Sequence, residues 1–266
     1  MRYDWVSFTT DYGTADGFVA ACKGVIAGIA PAVRVLDVTH EIDPQDIRRG
    51  GTVLAHTVAY LPPSVHLAVI DPGVGGSRRA VVLLAGSSLF VGPDNGLLIP
   101  AADALGGVVA AYELAEPRYQ LPDVSMTFHG RDIFAPAAAH LANGAPPADF
   151  GPSIEVADLR RLSEPRTSVD DGRLISEILG ADRFGNLQLA AGEDDLRVFG
   201  ARPGETLRVQ LRRSAVDGRF GGTFADVPAG TLLVHLDSAG RIAVAVNGGS
   251  AAEALGGRVG EVTISR

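Results

Sequence analysis

Hydrophobic and polar positions alternate along the first half of the chain in short blocks, and the period of that alternation switches repeatedly between two and nearly four. "WVSFTT" reads as a strand, and "DGFVAACKGVIAGIA" after it sets Phe18, Cys22, Val25, Ile26 and Ile29 on one face of a helix that Asp16 is placed to cap. "VRVLDVT" is a second strand, and "DIRRGGTVLAHTVAYL" a second helix despite its glycine pair. "SVHLAVI" is a continuous apolar run, the mark of a strand buried on both faces, and Asp71-Pro72 stops it. "AVVLLA" and "SLFVG" pattern as a hairpin and "GVVAAYEL" as a further strand. Asp132 then opens a helix, "IFAPAAAHLANG", with Pro136 near its first turn and Asn143-Gly144 at its end. Strands alternating with helices predict an α/β domain with a mainly parallel sheet and flanking helices.

Beyond residue 150 the pattern changes. "GPSIEVADLRRLSEPRTSVDDGR" is polar and rich in turn formers. The later runs "RLISEILGAD", "ETLRVQLRRS", "TLLVHLDSAG" and "RIAVAVNGG" are strand-like, separated by glycine or Asp/Ser turns. The expected organisation is an N-terminal α/β domain over 1–160, a linker at about 161–172, and a smaller all-β, barrel-like domain over 173–266. A chain of 266 residues, 46% hydrophobic and 20% charged, has the material for two such cores.

Composition removes several function classes. A net charge of −8 weighs against a nucleic-acid partner, which needs clustered cationic side chains. The single cysteine, Cys22, excludes an intramolecular disulfide and a cysteine-rich zinc site. The six histidines at 40, 56, 66, 129, 140 and 235 show no ligand spacing, so no metal is expected. No run approaches the roughly 20 apolar residues that span a bilayer, and "MRYDWVSFTTDYG" has no basic segment leading into an apolar one. The expectation is a soluble, cytoplasmic protein with no membrane partner. "GVGGSR" begins as a dinucleotide fingerprint but carries Arg78 at the third glycine and leads into a strand, so a Rossmann pyrophosphate site is not expected.

What remains is a set of polar residues at strand ends, where open α/β sheets form their ligand crevice. Asp11 follows the first strand, Asp71 the third, and Asp94-Asn95 the second arm of the hairpin, so three carboxylates are expected to gather at one rim. Aspartate also opens ordinary turns. The stretch "DPGVGGSRR" adds a reason to look further: its glycines permit a tight reversal that returns Arg78 or Arg79 to Asp71, although the letters do not choose between them. His129, in "MTFHGRD", precedes a flexible glycine.

With these residues assembled, the chain resembles the S-adenosyl-L-methionine (SAM) hydrolases, also called SAM hydroxide adenosyltransferases, relatives of the fluorinases and chlorinases. The matching text, in family order, is "TTDYGTADGFVAACKGVI", "DVTHEIDPQDIRRG", "DPGVGGSRRAVV", "VGPDNGLL", "TFHGRDIFAPAAAHLA", "DRFGNLQL" and "AVNGGSAAEALG". The resemblance implies an N-terminal α/β domain and a C-terminal β-barrel. It also implies a homotrimer with active sites between the N-domain of one subunit and the C-domain of the next. The implied reaction is displacement of L-methionine from C5′ of SAM by water, giving adenosine, with SAM as substrate and no cofactor. The catalytic trio falls on Asp71, Arg78 and His129, and either Asp71 or His129 takes the proton.

Substrate-binding positions implied by the same resemblance are Asp11 for the ribose and Asp16 near the methionine end; Asn95, at a strand end on the rim, is a further substrate-binding candidate. Asp182 is implied for the amino-acid moiety, Phe184 and Asn186 for adenine, Ser238 for the carboxylate, and the backbone at Val246 and Gly248 for the adenine edge. Phe18, Gln45 and Ala239 depart from the halogenating relatives, and Gly130 stands where a fluorinase has a halide-contacting serine. The competing readings are a SAM-dependent 5′-halogenating enzyme and a non-catalytic adenosine- or SAM-binding protein.

Overall fold

The first apolar block, Trp5–Thr10, forms strand β1, whose last five residues are buried because both faces of its sheet are covered. The computed structural model describes residues 2–266. They divide into two units, one ending at Leu162 and one running from Ser163 to Arg266.

In the N-terminal unit, β1 is joined by β2 (Arg34–Thr39), β3 (Val65–Val69), β4 (Ala80–Ala85), β5 (Ser88–Pro93) and β6 (Val108–Glu113). They lie in the order β2-β1-β3-β5-β4-β6. The pairs β1–β2, β1–β3 and β3–β5 are parallel, while β4 runs against both its neighbours, as a hairpin with β5 requires. Helix α1 (Phe18–Ile29) and helix α4 (Ala135–Ala142) pack Val19, Cys22, Ile26 and Leu141 against Val6, Phe8, Leu67 and Val69 on one face. Helix α2 (Ile47–Val58) and helix α3 (Ile99–Ala104) bury Leu54, Val58 and Ala101 against Ile70, Leu83 and Phe90 on the other.

The glycine pair inside α2 is explained by that packing. A Cβ at Gly50 would strike the Ile70 side chain, and one at Gly51 would lie 3.0 Å from the Leu97 carbonyl oxygen. The lost helix propensity is offset by closer burial. Asp46 caps α2 by accepting from the Arg49 N–H at 2.9 Å. The cap expected at α1 is not formed: the helix starts after Gly17, no side chain caps it, and Asp16 is exposed. Phe18, placed by periodicity on the buried face, is 47% exposed.

The chain enters α1 from β1 on one face and α2 from β2 on the other, which puts the reversal of winding between the C-terminal ends of β1 and β3. Such a switch point opens a crevice in doubly wound sheets.

The C-terminal unit is a closed ring of strands: β8 (Arg173–Ala181), β9 (Leu187–Gly192), β13 (Arg241–Val246), β12 (Leu232–Leu236), β11 (Ser214–Phe220), β10 (Thr206–Leu211) and β14 (Glu261–Ser265), which pairs back to β8. The alternation in β10 sends Leu207, Val209 and Leu211 inward and leaves Thr206, Arg208 and Gln210 outside. A short strand, β7 (Thr167–Asp170), lies beside β8 in the stretch expected as a linker. Two short helices that the sequence reading did not mark, α5 (Glu193–Phe199) and α6 (Ala251–Leu255), pack Leu196, Phe199 and Leu255 into this barrel's core.

Candidate active site

Asp71 begins the loop after β3, and the "DPGVGGSRR" reversal closes over it. The Val74 N–H donates to the Asp71 carbonyl at 3.2 Å and the Gly76 N–H to the Gly73 carbonyl at 3.0 Å. Gly75 has φ of 73°, and a Cβ there would strike the Met126 carbonyl oxygen. Glycine at 75 therefore lets this loop press onto the loop that carries His129.

The reversal returns Arg78 to Asp71. Arg78 Nε lies 3.0 Å from both carboxylate oxygens, and Nη2 lies 2.6 Å from Oδ2. The same Nη2 lies 2.7 Å from His129 Nδ1. The Asp71 and Arg78 side chains are only 6% and 12% exposed, and the guanidinium lies 5.1 Å from the centre of the Phe134 ring. A buried charge held this way is paired, hydrogen-bonded and stacked.

The bond to His129 also fixes its tautomer. A guanidinium only donates, so Nδ1 of the imidazole accepts and the ring proton of neutral His129 sits on Nε2. Burial and the neighbouring Arg78 charge hold the His129 imidazole below its ordinary titration range, against the opposing pull of Asp71 and Asp132. Sequence alone left Arg78 and Arg79 open. The geometry separates them, because Arg79 binds Asp94, with Nη2 at 2.6 Å from Oδ2, and the Asp158 carbonyl oxygen at 2.6 Å.

Asp94 is thus drawn away from the rim. Its other oxygen accepts from the Arg160 N–H at 2.9 Å, so two of the three expected carboxylates, Asp11 and Asp71, share the crevice. Asn95 is engaged too: Nδ2 donates to the Ile70 carbonyl at 2.9 Å, and Oδ1 accepts from the Leu97 N–H at 3.1 Å. It braces the chain just before Asp71 and does not line the cleft.

His129 owes its position to a wide helical turn. Pro136 lacks the N–H that would bond the Asp132 carbonyl; the Leu121 N–H takes that carbonyl instead, at 2.8 Å. Residues Gly130–Phe134 wind as a π-helical turn before α4, with the Ala135 N–H reaching back to Gly130. Asp132 is therefore no helix cap. It is wholly buried, pairs with Arg131 Nε at 2.6 Å and accepts from the Ser125 N–H at 2.9 Å. Ser125 Oγ in turn accepts from the Phe128 N–H at 3.0 Å. Reading Asp132 as a cap hid this brace, and Ser125 carried no signal in the sequence.

The cleft has a volume of about 440 Å³, and its walls include Asp11, Tyr12, Phe18, Gln45, Asp71, Phe128, His129 and Gly130. Asp11 Oδ2 accepts from the Gln45 N–H at 2.8 Å. Gln45 makes that contact from a left-handed backbone, φ 69°, a strained conformation for a residue with a side chain. Asp16 does not line this cleft.

Five of the C-terminal candidates, Asp182, Phe184, Asn186, Val246 and Gly248, lie on two touching loops of the barrel. Asp182 accepts from the Phe184 and Asn186 N–H groups, each at 2.9 Å, and from Asn186 Nδ2 at 2.7 Å. Gly185 packs against Ser250, and its carbonyl accepts from the Ala252 N–H at 3.0 Å, which sets the Phe184 turn beside the Val246–Ser250 turn. Phe184 is 70% exposed. Ser238 is on the turn before β13, and Val246 and Gly248 are at its other end, roughly 17–20 Å away for a strand of this length. Among the described residues no cluster of histidine, cysteine and carboxylates has metal-binding geometry, and no helix is long and apolar enough to cross a membrane.

Comparison with known proteins agrees with this division of the chain. Residues 6–151 match the SAM hydroxide adenosyltransferase N-terminal domain and residues 176–263 its C-terminal domain. The chain belongs to the SAM hydroxide adenosyltransferase family. It is 57% identical to the (R)-S-adenosyl-L-methionine hydrolase of Salinispora arenicola over 94% of this chain and 93% of that one. Identity to the fluorinase of an Actinoplanes species is 28%, over 91% and 90% of the two chains. A crystal structure of an uncharacterized conserved protein from Thermotoga maritima superposes with a TM-score of 0.90 at 35% identity, covering 98% of this chain and all of that one.

Proposed function

We propose that this protein hydrolyses S-adenosyl-L-methionine to adenosine and L-methionine. The observation that carries this reading is the closed Asp71–Arg78–His129 arrangement at the wall of a nucleoside-sized cleft. The 57% identity to a protein named for the same reaction supports it.

A water oxygen attacks C5′ of the ribose. The C5′–sulfur bond breaks with its electron pair going to sulfur, and methionine leaves as a neutral thioether. The positive charge already on sulfur makes it a good leaving group, so no metal or organic cofactor is needed for departure. As the new C–O bond forms, the entering oxygen becomes acidic, and the Asp71 carboxylate accepts its proton. Arg78 orients Asp71 by its two-nitrogen grip. With Nδ1 occupied by Arg78, His129 offers only Nε2–H, so it acts as a hydrogen-bond donor rather than as the base.

Asp11 is suited to vicinal ribose hydroxyls, since one carboxylate accepts two hydrogen bonds. Exposed Phe184 offers a stacking face for adenine, beside Asn186 and the backbone at Val246 and Gly248. Asp182, on the Phe184 turn, and Ser238, at the far end of β13, remain the candidates for the methionine moiety and Asp16 for the outer edge of the site, whereas Asn95 serves it indirectly by bracing the chain before Asp71. A cytoplasmic homotrimer whose sites form between subunits, as the resemblance implies, completes this reading.

Incubation with SAM in ¹⁸O-labelled water tests the reading: the adenosine produced carries the label at its 5′ oxygen. A folded protein that binds SAM and releases no adenosine, or that gives a 5′-halo-adenosine when halide is present, would overturn it.

A further inference from the structure

Tyr12 is a polar group of the cleft that the trio leaves without a role. It follows Asp11 directly at the end of β1, and the surrounding structure holds it firmly. Its N–H donates to Thr10 Oγ1 at 3.2 Å. That hydroxyl lies 2.8 Å from Nδ1 of buried His40, whose Nε2 lies 3.0 Å from Asp37 Oδ1. The ring sits edge-on to Phe128, centroids 5.9 Å apart at 73°, and tilted against Phe18 at 6.0 Å.

So gripped, the phenol places its hydroxyl over Gly130. A Cβ at 130 would strike Tyr12 Oη, and would lie 3.1 Å from Cζ and 3.4 Å from Cε2. Among the described residues that hydroxyl has no hydrogen-bond partner. Burial, then the nearby Cys22, Asp11 and Asp71, push the Tyr12 phenol well above its ordinary range, with Arg78 acting the other way. It keeps its proton and remains a donor.

Resting on the hydrolase reading above, we propose that Tyr12 Oη positions the nucleophile by donating a hydrogen bond to the attacking water, and that position 130 is glycine to leave room for that hydroxyl. A water molecule has two lone pairs. One must face C5′ for attack, and a donor on the other fixes the molecule's rotation while its proton points to Asp71. A side chain at 130 and a hydroxyl at 12 compete for one volume, so the two positions act as a pair.

The test is SAM turnover by the full chain with Tyr12→Phe, Gly130→Ala and the double variant, each with a melting curve. Tyr12→Phe lowers kcat about ten-fold, the value of one neutral hydrogen bond, with KM and melting nearly unchanged. Gly130→Ala loses more, and adding Tyr12→Phe restores part of the loss, because removing the oxygen relieves the clash. If Gly130→Ala does not fold, recovery of folding in the double variant reports the same competition. Wild-type kcat in Tyr12→Phe, an effect confined to KM or melting, or a double variant no better than Gly130→Ala would each overturn the inference alone. A wild-type chain that releases no adenosine would overturn the hydrolase reading and this inference with it.

Discussion

In the N-terminal unit the ionisable side chains of the cleft bind one another across long stretches of chain, as Arg78 does His129, 51 residues away. In the C-terminal unit the corresponding carboxylate, Asp182, binds groups two and four residues away within its own turn. The first arrangement fixes charged atoms relative to each other, which is what a reaction needs. The second fixes the shape of a backbone loop and leaves an aromatic ring exposed on it, which is what recognition needs. Variants in the first region should therefore act on kcat, and variants in the second on KM.

The sharpest way to break that distinction is Asp71→Ala. Removing the carboxylate should lower kcat on the order of 10²–10⁴-fold. SAM affinity by calorimetry should hold, and a loss of affinity with normal kcat would reverse the division. His129 gives the next effect. Its proton affinity is depressed by burial and Arg78, so the rate should stay level as pH falls through the ordinary histidine value of about 6.5 and drop only below it. Protonation puts a hydrogen on Nδ1 and expels Arg78. A His129→Asn variant should lose that acid limb, and an unchanged pH–rate profile would show that the limb belongs to another group.

In the C-terminal unit, Asp182→Ala removes three hydrogen bonds from the Phe184 turn. KM should rise about ten-fold with kcat kept within two-fold, as for loosened recognition worth about 1.4 kcal/mol. A collapse of kcat would place Asp182 with the chemistry instead.

The smallest effect on turnover is expected at His66, inside the N-terminal sheet and outside the cleft. Its Nδ1 bonds Ser7 Oγ at 2.8 Å, its Nε2 has no partner, and burial pushes it down from 6.5 to about 4. Below pH 6.5 the unfolded chain binds a proton that the folded one refuses, so stability falls with pH, by about 3 kcal/mol by pH 4. Chemical denaturation of wild type against His66→Gln checks this, and equal slopes with pH would remove His66 as the source.

The same contrast explains what the letters could convey. The six strands of the N-terminal unit and β8, β10, β12 and β13 of the C-terminal unit were legible because alternating or continuous apolar runs must face a core, as β10 shows, whereas β7, β9, β11 and β14 were not marked. Asp71 and Arg78 were legible as a possible pair because only a glycine-rich reversal separates them. The partner of Arg79 was not, since Asp94 is 15 residues away and turn aspartates all look alike. Asp132 was misread because a carboxylate ahead of an apolar run looks like a cap. The missing N–H of Pro136 widens that turn and turns the carboxylate inward onto Arg131 and the Ser125 N–H. Gln45 was noticed for its side chain, whereas its strained backbone N–H is the group that holds Asp11.

The most direct test of the account is a crystal structure with adenosine bound. The arrangement predicts the 5′ oxygen within hydrogen-bond distance of the Asp71 carboxylate, with the ribose hydroxyls on Asp11. An adenosine whose 5′ oxygen points away from Asp71, with Arg78 and His129 still joined, would contradict it.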